Sequence, residues 1–271
     1  MIQTDDTPLL DPKLGRMRTG RIWTYVGDGA HPYAVYNYTR TRGRDGPEAF
    51  LDQFRGYLQA DAYSGYDELY KDPYREVTEV ACGAQSRRKH YEAQSSDLMC
   101  STVMLVCIRL LYDVERESRD QKLDSEAHLA LRQAKSKPIL EDIHAYLERE
   151  QPQVLPKSRK DKRWPTPCRT GRRTRAIVRM ATWRSITTGA KRSLRGIAVR
   201  RRNWTFLGSD DGGRTAAVLN SLIATCKRLA IAPFAFLRDV FTRISDHPQN
   251  RLAELIPDQW KAAQAGLIAE G

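Results

Sequence analysis

Short runs rich in β-branched and aromatic residues constrain the first part of the chain most. Three of them, at residues 2–10, 21–27 (RIWTYVG) and 33–39 (YAVYNYT), are separated by Gly, Pro and Asp residues that favour turns. Runs this short and this closely spaced predict consecutive strands that form a meander. Further strands are predicted at residues 57–63 and 75–81.

Helical periodicity dominates the part of the chain that follows. Residues 47–54 have a short amphipathic pattern, and from residue 98 to residue 150 apolar side chains recur about every 3.6 positions. This pattern is interrupted near residues 122–125 and at Pro138. The sequence therefore predicts an α/β fold, with a mixed sheet, flanking helices, a helical insertion and a C-terminal helical element.

The excess positive charge is concentrated in one segment. The 271 residues include 45 Lys and Arg against 33 Asp and Glu, a net charge of +12. Residues 157–202 hold 17 of these basic residues and a single acid, so this segment carries +16 and the rest of the chain −4. Such a block is typical either of contacts with nucleic-acid phosphates or of a solvated insert.

Cysteine usage and hydropathy limit where the protein works. The five cysteines are widely spaced and include no Cys-x-x-Cys pair, which predicts reduced thiols and no zinc ribbon. No apolar run approaches the roughly 18 residues that a membrane span needs, and a polar stretch follows Met1. We expect a cytoplasmic protein without a membrane partner.

Two aspartates lie within predicted strands. Asp5 and Asp61 are both flanked by residues that a sheet would bury, and a carboxylate there is costly unless it is paired or binds a metal ion. Because Mg²⁺ is usually held by one or two carboxylates, the pair suggests a magnesium site. The alternative is that both residues cap turns at strand ends.

Four long stretches resemble the insertion-sequence-66 family of transposases. They are DDTPLLDPKLGRMRTGRIWTYVGD from Asp5, GYLQADAYSGYDELY from Gly56, KRSLRGIAVRRRNWTFLGSDDGG from Lys191, and SLIATCKRLAIAPFAFLRDVFTRISDHPQNRLAELIPDQW from Ser221. Their order along the chain is that of the family, and the resemblance covers nearly the whole chain except residues 159–189.

The resemblance implies a fold, a chemistry and partners. Members are DDE transposases with an RNase H-like catalytic domain, in which two Asp and one Glu bind two divalent ions, Mg²⁺ or Mn²⁺, that cleave and join DNA. By motif, the two Asp ligands are Asp5 and Asp61. The implied partners are the DNA of transposon ends and target sites, and a homo-oligomer is left open.

The third ligand position departs from the family. Where members read approximately IDNNxAERxLRG, this chain reads ITTGAKRSLRG, which puts Lys191 in place of the catalytic Glu. An ammonium group cannot bind Mg²⁺, and no Glu occurs anywhere in residues 151–253. Asp210 and Asp211 lie beyond the matching position and are weak substitutes. We therefore expect a catalytically inactive copy.

Two other departures favour the same expectation. Members show CWAHARRKF after the fifth strand, whereas this chain reads ACGAQSRRKHY, with Gly83 and Gln85 at the Trp and His positions. Full-length members also carry a zinc-binding segment and a helix-turn-helix-like segment before the catalytic domain. Nothing comparable precedes Met1, so we expect an N-terminally truncated copy without recognition of transposon ends.

The basic block has a further explanation. Plausible codons for RWPTPCRTGRRTRAIVRMATWRSITTG, read one base earlier, permit AVAYALSNWAAHARYCEDGDLEIDHN, which has a helical apolar pattern and ends in an acidic IDNN-like motif. We hypothesise that residues 159–188 are translated out of the ancestral frame. The gene's nucleotide sequence would decide this.

DNA contacts are expected on two basic stretches, whose residues are Arg87, Arg88, Lys89, Arg192 and Arg195. A solvated helix face is the alternative interpretation of the first stretch. A second functional class also stays open, namely a non-enzymatic nucleic-acid-binding protein that uses the +16 block.

The predicted organisation follows the chain in five segments. RNase H-like core elements are predicted at residues 1–96 and the helical insertion at 97–157. The basic segment at 158–189 is predicted to be disordered or out of frame. The remnant of the third-carboxylate motif follows at 190–213 and the C-terminal helical element at 214–271.

Overall fold

The computed structural model describes residues 1–13, 16–60, 63–72, 74–80, 82–95, 97–150, 188–200 and 209–269. Its strands are β1 (Ile2–Lys13), β2 (Arg16–Val26), β3 (Ala34–Thr39), β4 (Gly56–Gln59) and β5 (Val77–Val80). Its α-helices are α1 (Asp45–Phe50), α2 (Asp67–Lys71), α3 (Gly83–Ala93), α4 (Leu98–Asp120), α5 (Ser125–Leu131), α6 (Lys137–Glu150), α7 (Thr188–Arg200), α8 (Asp210–Arg228), α9 (Pro233–Arg243) and α10 (Pro257–Ala269). Shorter helical turns are 3₁₀ at Ser64–Tyr66 and Gln249–Leu255, and π at Arg132–Ser136.

The chain divides into two compact units. One, termed the sheet unit, comprises Ile2–Gly46 and Gly189–Gly271; the other, termed the helical unit, comprises Met1 and Pro47–Thr188. Strands β1, β2 and β3 pair antiparallel in chain order, while β4 and β5 pair parallel. Both the α/β class with mixed strand pairing and the predicted meander are therefore confirmed. None of the described helices is long and apolar enough to cross a membrane.

The free edge of β3 is covered by α8. The Ser221 hydroxyl accepts from the Tyr36 amide at 2.8 Å, and the Thr225 hydroxyl accepts from the Ala34 amide at 3.2 Å. Four residues of an α-helix and two residues of a β-strand both advance about 6–7 Å along the axis. The spacing of the two hydroxyls on α8 therefore matches the spacing of the two amides on β3. Helix α8 thus satisfies the edge that would otherwise present unpaired backbone groups.

The core of the helical unit lies between its long helices and its two strands. Val80 of β5 packs with Cys100 and Met104 of α4 and with Leu140 and Ile143 of α6. The residues repeat at i, i+3 and i+4 along each helix, as the sequence pattern predicts.

The predicted break near residues 122–125 is confirmed, and its cause is local. Lys122 has φ of 51° and ends α4, while the Asp124 carboxylate accepts from the Ala127 amide at 2.8 Å and caps α5. Pro138, by contrast, does not interrupt the helix. The π turn at Arg132–Ser136 ends two residues before Pro138. This wider turn accommodates the proline ring, which in a regular α-helix would clash with the carbonyl four residues earlier.

Two segment boundaries differ from the prediction. Strand β4 ends at Gln59, and the chain is already in a 3₁₀ turn at Ser64–Tyr66, so the strand predicted to reach residue 63 is shorter. Helix α8 begins at Asp210 and not at residue 214, because the Ser209 hydroxyl accepts from the Gly212 amide at 3.0 Å and caps the helix there. The predicted poorly packed segment at 159–188 lies outside the described residues except for Thr188, the first residue of α7.

Candidate active site

Asp5 lies on the face of the meander that helices cover. In the antiparallel register Gln3 pairs with Val26, Asp5 with Thr24 and Thr7 with Ile22, and directly paired residues share a face. Gln3 and Thr7 are buried and Asp5 is half-buried. The Asp5 carboxylate accepts a hydrogen bond from the Asp6 amide at 2.9 Å.

The neighbouring Asp6 lies on the opposite face and is already neutralised. Its side chain is 4% exposed and forms ion pairs with Arg21 Nη1 at 3.0 Å and Arg42 Nη2 at 2.8 Å. Burial and the negative charge of Asp6 together raise the pKa of Tyr25. The sheet register therefore places the two adjacent aspartates on opposite faces, and the ion pairs hold Asp6 on its own face.

Helix α7 covers the Asp5 face and carries Lys191 in its first turn. Ala190, Leu194 and Ile197 are spaced i, i+4 and i+7 and are buried, with Ala190 against Val26 and the other two against Ile22. This spacing is the apolar stripe of an amphipathic helix.

A close contact and a hydrogen bond fix the position of α7. A Cβ atom added to Gly189 would lie 2.3 Å from Gln3 Oε1, so a larger residue here would require the Gln3 side chain to shift. The Tyr36 hydroxyl donates to the Ser193 carbonyl at 2.8 Å. The first turn of α7 therefore lies beside Gln3 of β1 and Val26 of β2, on the sheet face that also carries Asp5.

The outward face of α7 is basic. Lys191, Arg192 and Arg195 are exposed, while the residues between them and the sheet are apolar. The structure thus brings Lys191 and two of the predicted DNA-binding residues to the same helix face, above the sheet face of Asp5. Asp61 lies outside the described residues.

The donor chemistry does not fit the pair of divalent ions that the resemblance implies. The third position carries an ammonium, which offers no lone pair to a metal. Among the described residues there is no group of three His, Cys, Asp or Glu side chains that could hold an ion. Asp210 is no substitute, because Tyr38 donates to its Oδ1 at 2.9 Å and Arg40 Nε lies 2.6 Å from its Oδ2.

The other predicted DNA-binding stretch lies on α3 in the helical unit. Arg87 and Arg88 are exposed and Lys89 is half-buried, and Arg88 Nε donates to Glu92 Oε1 at 2.8 Å. Next to them, His90 is buried, and its pKa is lowered to about 4, chiefly by desolvation. Gly83 is the first residue of this helix, and the side chain of Gln85 is outside what the structure describes.

Sequence reasoning missed a buried charge cluster in the helical unit. The Arg132 guanidinium is 0% exposed and donates to both Glu115 oxygens, each at 2.7 Å. His128 Nε2 lies 3.3 Å from Glu115 Oε2, and burial, followed by the charge of Arg132, lowers the pKa of His128. The sequence shows only charged residues on amphipathic helices, which ordinarily face water.

The sequence matches known proteins along nearly its whole length. Residues 1–215 match the family described as "Transposase IS66 family", and residues 221–257 match the family described as "IS66 C-terminal element". The chain is 33% identical to "Uncharacterized protein y4hP" of Sinorhizobium fredii (strain NBRC 101917 / NGR234), with 97% of this chain and 51% of that protein aligned. It is 29% identical to "Uncharacterized protein y4jD" of the same organism, with 98% and 55% aligned. The chain spans about half the length of these curated relatives.

Proposed function

The chain belongs to the IS66 family of transposases, and we propose that it is a DNA-binding member that no longer cleaves DNA. The family supports DNA as the partner and divalent-metal chemistry as the ancestral activity. The residues that would carry that activity here are Asp5 and Asp61, with Lys191 at the third position.

One observation carries the proposal. Helix α7 packs over the Asp5 face of the meander through Ala190, Leu194 and Ile197, and Lys191 stands in its first turn. By the resemblance, the position of Lys191 is that of the third ligand, which acts together with the first in family members. The residue placed there is a cation, so the scaffold remains while the ligand is lost.

The expected consequence for catalysis is large. Removing one electrostatic element from a site that stabilises developing charge typically costs about 2.7–4 kcal/mol, or a factor of about 10²–10³ in rate. Replacing a carboxylate ligand by a positive charge removes the ligand and adds repulsion toward any cation, so the loss is expected to be greater. We expect no measurable DNA cleavage or strand joining by this chain.

The test is a nicking assay on supercoiled plasmid with Mg²⁺ or Mn²⁺. The unmodified chain and Asp5→Asn are expected to be equally inactive. Metal-dependent nicking by the unmodified chain that Asp5→Asn abolishes would overturn the proposal. Lys191→Glu alone is not expected to restore nicking, because the hypothesised frame change in residues 159–188 also alters the sequence that leads into α7.

A further inference from the structure

Helix α9 carries an aromatic face that is open to solvent. Phe234 is 78% exposed and Phe241 57%, although phenylalanine is among the residue types most often fully buried. The two lie seven positions apart, which is two helical turns, and the exposed Arg238 lies between them on the same side. We propose that this aromatic face binds single-stranded DNA, with unpaired bases stacked on the two rings and a phosphate at Arg238. The identity of the partner, DNA, rests on the proposed function.

The inner side of α9 holds the helix in place. Phe236 and Val240 are buried in a cluster that includes Cys226 of α8. The Trp260 ring meets the Phe236 ring edge to face, with centroids 5.7 Å apart. Trp260 Nε1 also donates to Asp239 Oδ2 at 2.7 Å. The aromatic face therefore stands on an anchored helix, which is the kind of element that presents binding side chains in a fixed arrangement.

The charges around the aromatic face suit a polyanion. Arg238 makes no ion pair within the described part of the chain. The acid next to it, Asp239, is already bound by Arg243 Nη2 and Trp260 Nε1. Lys227, in the last turn of α8, is exposed as well. The face thus offers an uncompensated positive charge beside two aromatic rings, and an anion is the ligand that it attracts.

The combination of rings and a cation favours a single strand over a duplex. Proteins hold single strands by stacking bases on aromatic side chains and by contacting the backbone with basic ones. In a duplex the faces of the bases are covered by their neighbours, so the rings would find no base to stack on. At 1.5 Å per residue, Phe234 and Phe241 lie about 10 Å apart along the axis. This is the length of about three stacked nucleotides at about 3.4 Å each.

A second copy of the chain is the alternative occupant. Four apolar residues of α9 follow the i, i+3, i+7 and i+10 spacing through which helices pair, namely Phe234, Leu237, Phe241 and Ile244. In an antiparallel pairing of two copies, the symmetry axis would pass near the middle of this stripe. Arg238 lies there, so two unpaired guanidinium groups would meet and repel each other. The charge therefore disfavours this pairing and favours DNA.

The experiment measures the affinity of the full chain by fluorescence anisotropy for three labelled probes of equal length: an oligothymidine, an abasic oligonucleotide and a duplex. The double variant Phe234→Leu with Phe241→Leu keeps the face apolar but removes both rings. We expect it to bind the oligothymidine at least about tenfold more weakly, since the loss of one stacked base has about this effect. Its affinity for the abasic and duplex probes should stay unchanged, because the phosphates alone carry that binding.

Two further variants separate stacking from apolar contact and from charge. Phe234→Trp with Phe241→Trp should keep the affinity for oligothymidine, because an indole ring also stacks on bases. Arg238→Gln should weaken binding of the oligothymidine and of the abasic probe alike. It should also reduce the slope of log K against log salt by about 0.7, the contribution of one phosphate contact in a single strand.

Phe50→Leu is the matched control. Phe50 is also an exposed phenylalanine of a helix, α1, and its substitution should leave the affinity for all three probes unchanged. Circular dichroism should show that the variants stay folded, since the substituted side chains of α9 are exposed.

Three results would overturn the inference. They are an unchanged affinity of the double Leu variant for oligothymidine, an equal loss on all three probes, and binding of duplex but not of oligothymidine by the unmodified chain. If the double Leu variant instead changes its sedimentation while its affinity for oligothymidine stays the same, the face is an interface between copies. The proposed function itself fails only if the unmodified chain binds neither duplex nor single-stranded DNA.

Discussion

Substituting Glu115 by Gln should destabilise the helical unit far more than an ordinary surface charge change. The substitution keeps the side-chain volume but removes the negative charge that faces Arg132. The guanidinium is 0% exposed and both of its hydrogen bonds to Glu115 measure 2.7 Å. Arg132 cannot release its proton at any accessible pH, so the variant must bury this positive charge without the carboxylate that faces it.

The magnitude follows from that burial. Breaking a buried ion pair by removing one partner costs about 3–5 kcal/mol. Glu115 is 13% exposed, so water reaches one side of the pair, and the Gln oxygen still accepts one hydrogen bond. We therefore expect Glu115→Gln to lower the free energy of unfolding by about 3 kcal/mol. Arg132→Met should cost less, because the remaining carboxylate can turn toward water.

The neighbouring pair on the same helices provides the control. Glu117 accepts from Lys135 at 2.7 Å, but the two side chains are 32% and 50% exposed. An exposed pair contributes about 0–1 kcal/mol, so Glu117→Gln should be almost silent. The double variant Arg132→Met with Glu115→Leu should lie close to the unmodified chain, because a well-packed apolar pair can replace a buried ion pair.

The assay is urea unfolding followed by far-ultraviolet circular dichroism, combined with hydrogen exchange of peptides from α4 to α6. Exchange is needed because the chain has two units and a single transition is not assured. The predicted order of destabilisation is Glu115→Gln, then Arg132→Met, then Glu117→Gln. Equal effects of Glu115→Gln and Glu117→Gln, within about 0.5 kcal/mol, would refute the reasoning from burial.

Two further predictions concern a buried histidine and the covered strand edge. Burial lowers the pKa of His90 from 6.5 to about 4, so the unfolded state binds a proton that the folded state does not. The free energy of unfolding should therefore decrease by up to about 3 kcal/mol as pH falls from about 6.5 to about 4. In urea titrations His90→Gln should flatten this pH dependence, and an unchanged slope would contradict the prediction. The double substitution Ser221→Ala with Thr225→Val removes the hydroxyl acceptors of the Ala34 and Tyr36 amides, so hydrogen exchange of both amides should become faster. Thr242→Ala is the control: it removes a hydroxyl that donates to a carbonyl of its own helix, and both amides should stay protected.

Local signals account for the features that the sequence predicted. The meander strands follow from β-branched and aromatic runs, and the break after α4 follows from Asp124, a capping residue that acts within three positions of itself. Ser209 is also a capping residue, but the GSDDGG stretch around it is typical of a turn, so the sequence predicts a later start for the helix. The structure shows that a cap and two glycines can start a helix when the following turns pack on β3.

Features that depend on contacts between residues far apart in the chain could not be predicted from the sequence. Adjacent aspartates at positions 5 and 6 look equivalent until the register places them on opposite faces, where Asp6 meets Arg21 and Arg42. Arg132 looks like a surface residue until α4 brings Glu115, 17 positions earlier, against it. A linear reading also cannot show that residues 2–46 form one unit with residues 189–271.

The two faces of α7 explain how a chain can keep a fold and change its chemistry. Packing depends on Ala190, Leu194 and Ile197, which face Ile22 and Val26 of the sheet, and a substitution among them costs about 2–5 kcal/mol for a large residue changed to Ala. Lys191 faces outward, where a change of charge rarely exceeds about 0.5 kcal/mol. Folding therefore constrains one face and leaves the other free to vary. For this reason a Lys at position 191 is compatible with the packing of the helix that presents it, and under the proposed function this change of charge removes DNA cleavage without unfolding α7.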